Sequence, residues 1–161
     1  LIAQDWIEKL GLVAHPEGGY FKEVYRNPST IQIMENGGKR NLATSIYFLL
    51  EGEQKSHFHQ LESDELWYFH AGSAARIHII EGTNYRTEII GDNIDYGESL
   101  QILLPRRSLF AAELVDKSSY ILLGCMVNPG FDFKDFRLVS KEELLPKFPD
   151  LKELIEAMTI E

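Results

Sequence analysis

Residues 52–72 read Gly52-Glu-Gln-Lys-Ser-His57-Phe-His59-Gln-Leu-Glu62-Ser-Asp64-Glu65-Leu-Trp67-Tyr-Phe69-His-Ala-Gly72. In an extended strand, side chains two apart share a face, so His57 and His59 would stand about 7 Å apart at the backbone. From that spacing both rings can converge on one metal at nitrogen–metal distances of roughly 2.0–2.1 Å. A carboxylate from the next strand would complete three protein ligands and leave positions open for water or substrate. Glu65 suits that role because it shares parity with Trp67 and Phe69, the aromatics expected inside; Glu62 and Asp64 compete with it. The plainer account of the same residues is a pair of histidines that line a polar pocket or bond neighbouring backbone.

Outward from this stretch the chain is a succession of short β-rich runs. Residues 21–26, 43–50, 65–71, 75–81, 85–90, 99–104, 110–115 and 120–127 are each expected as strands. Turn signals such as Glu81-Gly82-Thr83-Asn84, Gly91-Asp92-Asn93 and Asn128-Pro129-Gly130 separate them. Strands at near-regular spacing with no helices between them predict an antiparallel sandwich or barrel. Helices are expected only at the ends. Ile2, Trp6 and Leu10 recur at helical spacing before Gly11, and Leu151, Leu154, Ile155 and Met158 form a late apolar face. Asp150 with Glu153 has capping-box spacing, and Ser140 with Glu143 suggests a shorter turn ending near Pro146. With no linker or repeat, residues 1–161 are expected to be a single domain.

A second cluster, His15-Pro16-Glu17-Gly18-Gly19-Tyr20-Phe21, places paired glycines before a strand. Such glycines let the backbone turn or approach another chain closely. Either this is only a special strand entry, or Glu17 or Tyr20 reaches the mouth of the barrel. The isolated His15, His70 and His78 read as hydrogen-bonded structural residues, and Cys125, inside an apolar run, as a buried thiol.

Composition excludes several classes. One cysteine cannot form an internal disulfide or a thiolate zinc site. Sixteen Lys and Arg against 25 Asp and Glu leave a formal charge of −9, the wrong sign for nucleic acid or an anionic membrane. The longest apolar runs are strand-length, far below the ~20 residues of a spanning helix. No secretory signal pattern is visible. The expectation is a cytoplasmic protein without nucleic-acid or membrane partners.

The His-x-His, the following Glu65 and the glycine at position 72 resemble the first motif of the cupin superfamily, the small RmlC-like jelly rolls. More specific segments resemble cupin family 5, or domain of unknown function 985. These are His15-Pro-Glu-Gly-Gly-Tyr-Phe21 with Tyr25-Arg26, Ala43-Thr-Ser-Ile-Tyr-Phe-Leu-Leu50, Ser56 with His59, Asp64-Glu65 with Trp67, and Pro129-Gly-Phe-Asp-Phe133. The resemblance implies an all-β cupin double-stranded β-helix (jelly-roll) barrel with short N- and C-terminal helices, a ligand cavity inside, and commonly a homodimer. One departure stands out. In the general second cupin motif a Gly and then a metal-binding His follow a Pro, whereas here Arg107 and Phe110 occupy those places after Pro105.

Three functions are consistent with this reading. In the first, a sugar, nucleotide-sugar or small organic acid binds inside the barrel, and a His59 or His57 base moves a proton in epimerase or isomerase fashion. Asp64 or Glu65 would orient that base, and Tyr20 or Tyr47 would donate a proton. In the second, His57, His59 and Glu65 hold a divalent metal (Fe, Mn, Ni or Zn) for oxygenase or isomerase chemistry. In the third, the barrel is a non-catalytic binding module, with Arg107 or Arg76 pairing an anionic ligand group. Leu66, Tyr68 and His70, opposite in parity to Glu65, are expected at a dimer interface.

Overall fold

The computed structural model describes residues 1–33 and 38–160. The chain begins with helix α1 (Ala3–Leu10), closed by Gly11 in a left-handed conformation at φ 68°. Eight strands lie where the apolar alternation predicts them: β2 (Tyr20–Arg26), β5 (Thr44–Glu51), β7 (Asp64–Gly72), β8 (Ala75–Glu81), β9 (Asn84–Ile90), β10 (Gln101–Leu104), β11 (Leu109–Leu114) and β12 (Tyr120–Asn128). Five more are shorter or more polar: β1 (Val13–Ala14), β3 (Thr30–Gln32), β4 (Lys39–Asn41), β6 (Lys55–Gln60) and β13 (Arg137–Leu138).

Two antiparallel sheets face each other in a cupin jelly roll. One runs β1-β2-β5-β12-β7-β10 and the other β13-β6-β11-β8-β9, while β3 and β4 form a separate ribbon. Alternation decides what lies between them. Phe48, Leu50, Trp67, Ile77, Ile79, Phe110, Leu123 and Cys125 point inward and form the main core. Residues of opposite parity cover the outsides. Leu49 and Leu122 meet Trp6, Ile7 and Leu10 of α1, and Tyr20 and Tyr47 lie in that same outer cluster.

The outside of the second sheet is covered from the other end of the chain. Phe58, Ile80 and Ala111 pack against Leu144, Ile155 and Met158, which belong to α2 (Lys141–Leu144) and α3 (Lys152–Met158). Ser140 caps α2 as expected, its hydroxyl accepting from the Glu143 N–H. The capping box expected of Asp150 and Glu153 does not form. Pro149 starts a 3-10 turn over Pro149–Leu151, so Leu151 stands at the N-cap of α3 without a side-chain bond. Proline fits a first helical position because the N–H it lacks has no partner there.

One irregularity governs the site. Along β6 and β11, Phe110 pairs with His59 and Ala112 with Ser56, so residues 57 and 58 stand opposite Ala111 alone. This β-bulge inserts one residue into β6 and breaks its two-residue alternation. His59 and Ser56, three apart, therefore share the interior face. Phe58 points out toward the C-terminal helices.

Candidate active site

A cavity of about 480 Å3 opens between the inner face of the first sheet and β6. Its floor is polar and its mouth aromatic. Glu65 enters from β7, His59 from β6, and Cys125 and Val127 from β12, while His15 and Glu17 come from the turn between β1 and β2. Phe21, Glu23 and Arg26 of β2 and the segment carrying Phe131, Asp132, Phe133 and Phe136 complete the wall. That segment is tied down at both ends. The Phe131 carbonyl accepts from Arg26 at 3.0 Å, and the buried Arg40 guanidinium donates to both Asp135 carboxylate oxygens at 2.8 Å.

Glu17 is brought inward by the glycines that follow it. Gly18 and Gly19 have φ of 111° and 76°, and a β-carbon on Gly18 would collide with the Lys55 carbonyl of β6. The turn thus lies flat against β6, and the Glu17 carbonyl accepts from the His57 N–H at 2.9 Å and from His57 Nδ1 at 2.7 Å. The Glu17 side chain then reaches His59, with Oε2 2.8 Å from Nε2. His59 Nδ1 donates in turn to the His57 carbonyl at 2.7 Å, so both ring nitrogens are committed. Nδ1 donates to a carbonyl, and an ionised Glu17 facing Nε2 favours a donor there as well, which is the imidazolium form of His59.

The electrostatics agree. Burial works against the charge on His59, but the adjoining Glu17 carboxylate more than offsets it and holds the pKa above the ordinary 6.5. Burial likewise opposes ionisation of Glu17, and His59 outweighs it, so Glu17 lies below its ordinary value. Glu65 goes the other way. Burial and then the nearby Glu17 charge push it up to about 7. Its Oε2 is buried and has no hydrogen-bond partner. His15 accepts from the Glu17 N–H at 3.1 Å and is kept neutral chiefly by burial.

The expected site residues separate. His59 and Glu65 meet in the cavity together with Glu17, one of the two residues left open at the strand entry. His57 does not join them; the bulge turns its ring into a separate outer cleft that Tyr20 also lines. Tyr20 and Tyr47 share the outward parity and pack toward α1, because Phe21 and Phe48 take the inward positions. The aromatic mouth, Arg26 and Asp132 are additions that no strand parity signalled, whereas Glu23 shares the parity of Phe21. Arg107 lies outside the cavity, where its Nε donates to Glu62 at 2.9 Å. It adopts the left-handed conformation, φ 64°, that the general motif gives to glycine. Phe110, in place of the general motif's His, lays its ring 4.1 Å from that of His59.

A divalent metal does not fit these residues. Among the described residues no three His, Cys, Asp or Glu side chains are grouped so as to hold one. The three-ligand set of His57, His59 and Glu65 fails for a definite reason. The bulge removes His57, and both nitrogens of His59 are engaged elsewhere.

The profile of the Cupin superfamily (DUF985) family matches residues 4–139. The chain belongs to that family. Solved structures of similar proteins span essentially the whole chain. A hypothetical protein from Leishmania major is 35% identical and superposes with a TM-score of 0.91, covering 100% of both chains. Protein SO0799 from Shewanella oneidensis is 37% identical with a TM-score of 0.89, covering 99% of this chain and 98% of its own. The uncharacterized protein YML079W from Saccharomyces cerevisiae is 28% identical over 155 residues, covering 88% of this chain and 77% of the yeast protein. No helix among the described residues of this cupin is long and apolar enough to cross a membrane.

Proposed function

We propose that this cupin binds a small molecule inside the barrel and moves a proton on it, in the manner of an epimerase or isomerase. The observation that carries this reading is a pair of unlike carboxyls in one cavity. Glu17 is held ionised by His59, while Glu65 is biased toward its protonated form by burial and by Glu17. Two titratable groups pushed apart by their surroundings are the usual arrangement for a base and an acid acting on one substrate. Glu17 is the base and Glu65 the acid. His59, with both nitrogens occupied, is a positioning residue that fixes the Glu17 carboxylate and its charge.

In such a reaction Glu17 would take a proton from a carbon next to a carbonyl or imine. Glu65 would donate a hydrogen bond to the atom on which charge develops. The apolar walls, Ile46, Val127 and Leu61, exclude water and strengthen both interactions. A thermal-shift screen would identify a binder, which is then incubated with the protein in D2O and read by NMR. Deuterium at a carbon position with the parent protein and none with Glu17→Gln is the expected result. Binders recovered without label throughout would leave a binding module and remove the enzyme.

The same reading includes a homodimer. Leu66, Tyr68 and Met126 are only half buried on the outer face of the first sheet, and Leu103 beside them is 48% exposed. Sedimentation should give the mass of two chains; a clean monomer would remove this part.

A further inference from the structure

The charge and hydrogen-bonding state of the cavity wall say what kind of molecule it can accept. Only two described cations line the cavity, and both are largely committed to groups of the protein. Arg26 donates to Glu23 through Nε and Nη2, at 3.2 and 2.6 Å, and to Asn41 and the Phe131 carbonyl at 2.9 and 3.0 Å. His59 has given its two N–H groups to His57 and Glu17. A phosphate or carboxylate entering here would find no N–H from His59, one remaining Nη1–H on the part-exposed Arg26, and several acids around it. Of the four buried side-chain atoms without a partner among the described residues, Ser56 Oγ, Trp67 Nε1, Ser73 Oγ and Glu65 Oε2, the one on a cavity-lining residue is an acceptor, Glu65 Oε2.

The same cavity is lined by three aromatic rings, Phe131, Phe133 and Phe136. Phe131 and Phe133 meet edge to face at 4.8 Å, and Phe136 stands 6.1 Å from Phe133. Aromatic rings and a desolvated carboxylate lining one cavity both attract an organic cation, because the ring quadrupole and the carboxylate act in the same direction. Neither group favours an anion.

We infer that the ligand of this cavity is an organic cation, an amine, amidine or guanidine whose charged head pairs with Glu65 while its apolar part lies among Phe131, Phe133 and Phe136. This inference rests on the reading of the cavity as a small-molecule site and narrows it. It argues against nucleotide-sugars and organic acids as occupants. A cationic head would bring its own proton: paired with ionised Glu65 next to the reacting carbon, it would take over the donor role given above to protonated Glu65, with Glu17 still the base.

The test uses four probes of similar shape on the full chain: benzamidine, benzylamine, benzyl alcohol and benzoate, with inorganic phosphate and Mn2+ or Zn2+ as separate arms. Calorimetry and thermal shift at pH 8 should show saturable binding of the two cations and none of benzoate or phosphate. Glu65→Gln should weaken the cations about tenfold or more, as expected for loss of a charge-assisted pair. Should that variant fail to fold, Phe133→Leu at the exposed mouth removes one ring face and should weaken them about threefold to tenfold. Benzyl alcohol binding as well as benzylamine would overturn the cation inference and leave the small-molecule reading standing. Tighter binding of benzoate or phosphate would do the same, as would a metal ion that displaces benzamidine. If no probe binds, both fail together.

Discussion

His59 Nε2 lies 2.8 Å from Glu17 Oε2, in a pair whose side chains are 3% and 7% exposed. A buried ion pair is worth little over apolar residues of the same shape, but removing one member leaves an isolated charge in a poor solvent. Glu17→Gln is therefore expected to destabilise the fold by about 3–5 kcal/mol at neutral pH. It should also lower the His59 pKa, since the main opposition to burial is gone. Denaturant unfolding and NMR titration of the imidazole check the two effects. A His59 that titrates unchanged would mean the pair is not formed in solution.

The pair also sets a pH window. Glu17 lies below its ordinary 4.5, so its contribution is present above that value and lost as pH falls through the folded pKa. His59 lies above its ordinary 6.5, so its contribution is complete below 6.5 and lost as pH rises through the folded pKa. Glu65 acts with His59. Raised from 4.5 to about 7, it favours the fold at low pH and opposes it increasingly from 4.5 to 7. Glu65→Gln should accordingly be near neutral at pH 4.5 and relatively stabilising at pH 8, by up to about 3 kcal/mol at 1.36 kcal/mol per unit. A difference that does not change with pH would show that Glu65 titrates normally.

His57 and His59 should behave unequally. His57→Ala removes a ring bond to the Glu17 carbonyl and is expected to cost about 1 kcal/mol. His59→Ala strands the Glu17 carboxylate and is expected to cost about 3–5 kcal/mol. Equal losses would revive the view of two histidines acting together on one group.

Phe110→His places a donor beside His59, where the general cupin motif has one. Added Zn2+ or Ni2+ is expected to raise the melting temperature of this variant by more than that of the parent. Equal responses would mean that donor number is not what keeps the parent cavity from holding a metal.

Arg107 occupies a left-handed position that suits glycine better. Arg107→Gly removes that strain, worth roughly 1 kcal/mol, and is expected to raise stability if the side-chain interactions of Arg107, the exposed pair with Glu62 among them, are worth less. A loss of similar size would reverse that ranking.

The barrel itself was legible because its long strands alternate cleanly. Phe48 and Leu50, Trp67 and Phe69, and Ile77 and Ile79 announce both period and facing. Short or polar strands carry no such pattern, which is why β1, β3, β4 and β13 escape it. The site was half legible. Glu65 follows from parity with Trp67, and His59 from its motif. Reading His57 as its partner assumes an unbroken period of two, and a single inserted residue defeats that assumption. A signal was present in the sequence, since Ser56 and His59, three apart, belong together in the family pattern. Glu17 was only one of two candidates, because nothing local says which way a side chain beside two glycines will turn.

Phe58 sits between His57 and His59 in sequence yet is anchored in the opposite direction, with its carbonyl accepting from Val139 and its ring among Leu144, Ile155 and Met158. The last twenty-odd residues thereby act as a backing plate. They grip the strand whose neighbouring residues hold Glu17, although no atom of the two C-terminal helices lines the cavity. Trimming the chain at the edge of its family match, near residue 139, would therefore keep every cavity residue and still loosen the acid–base pair.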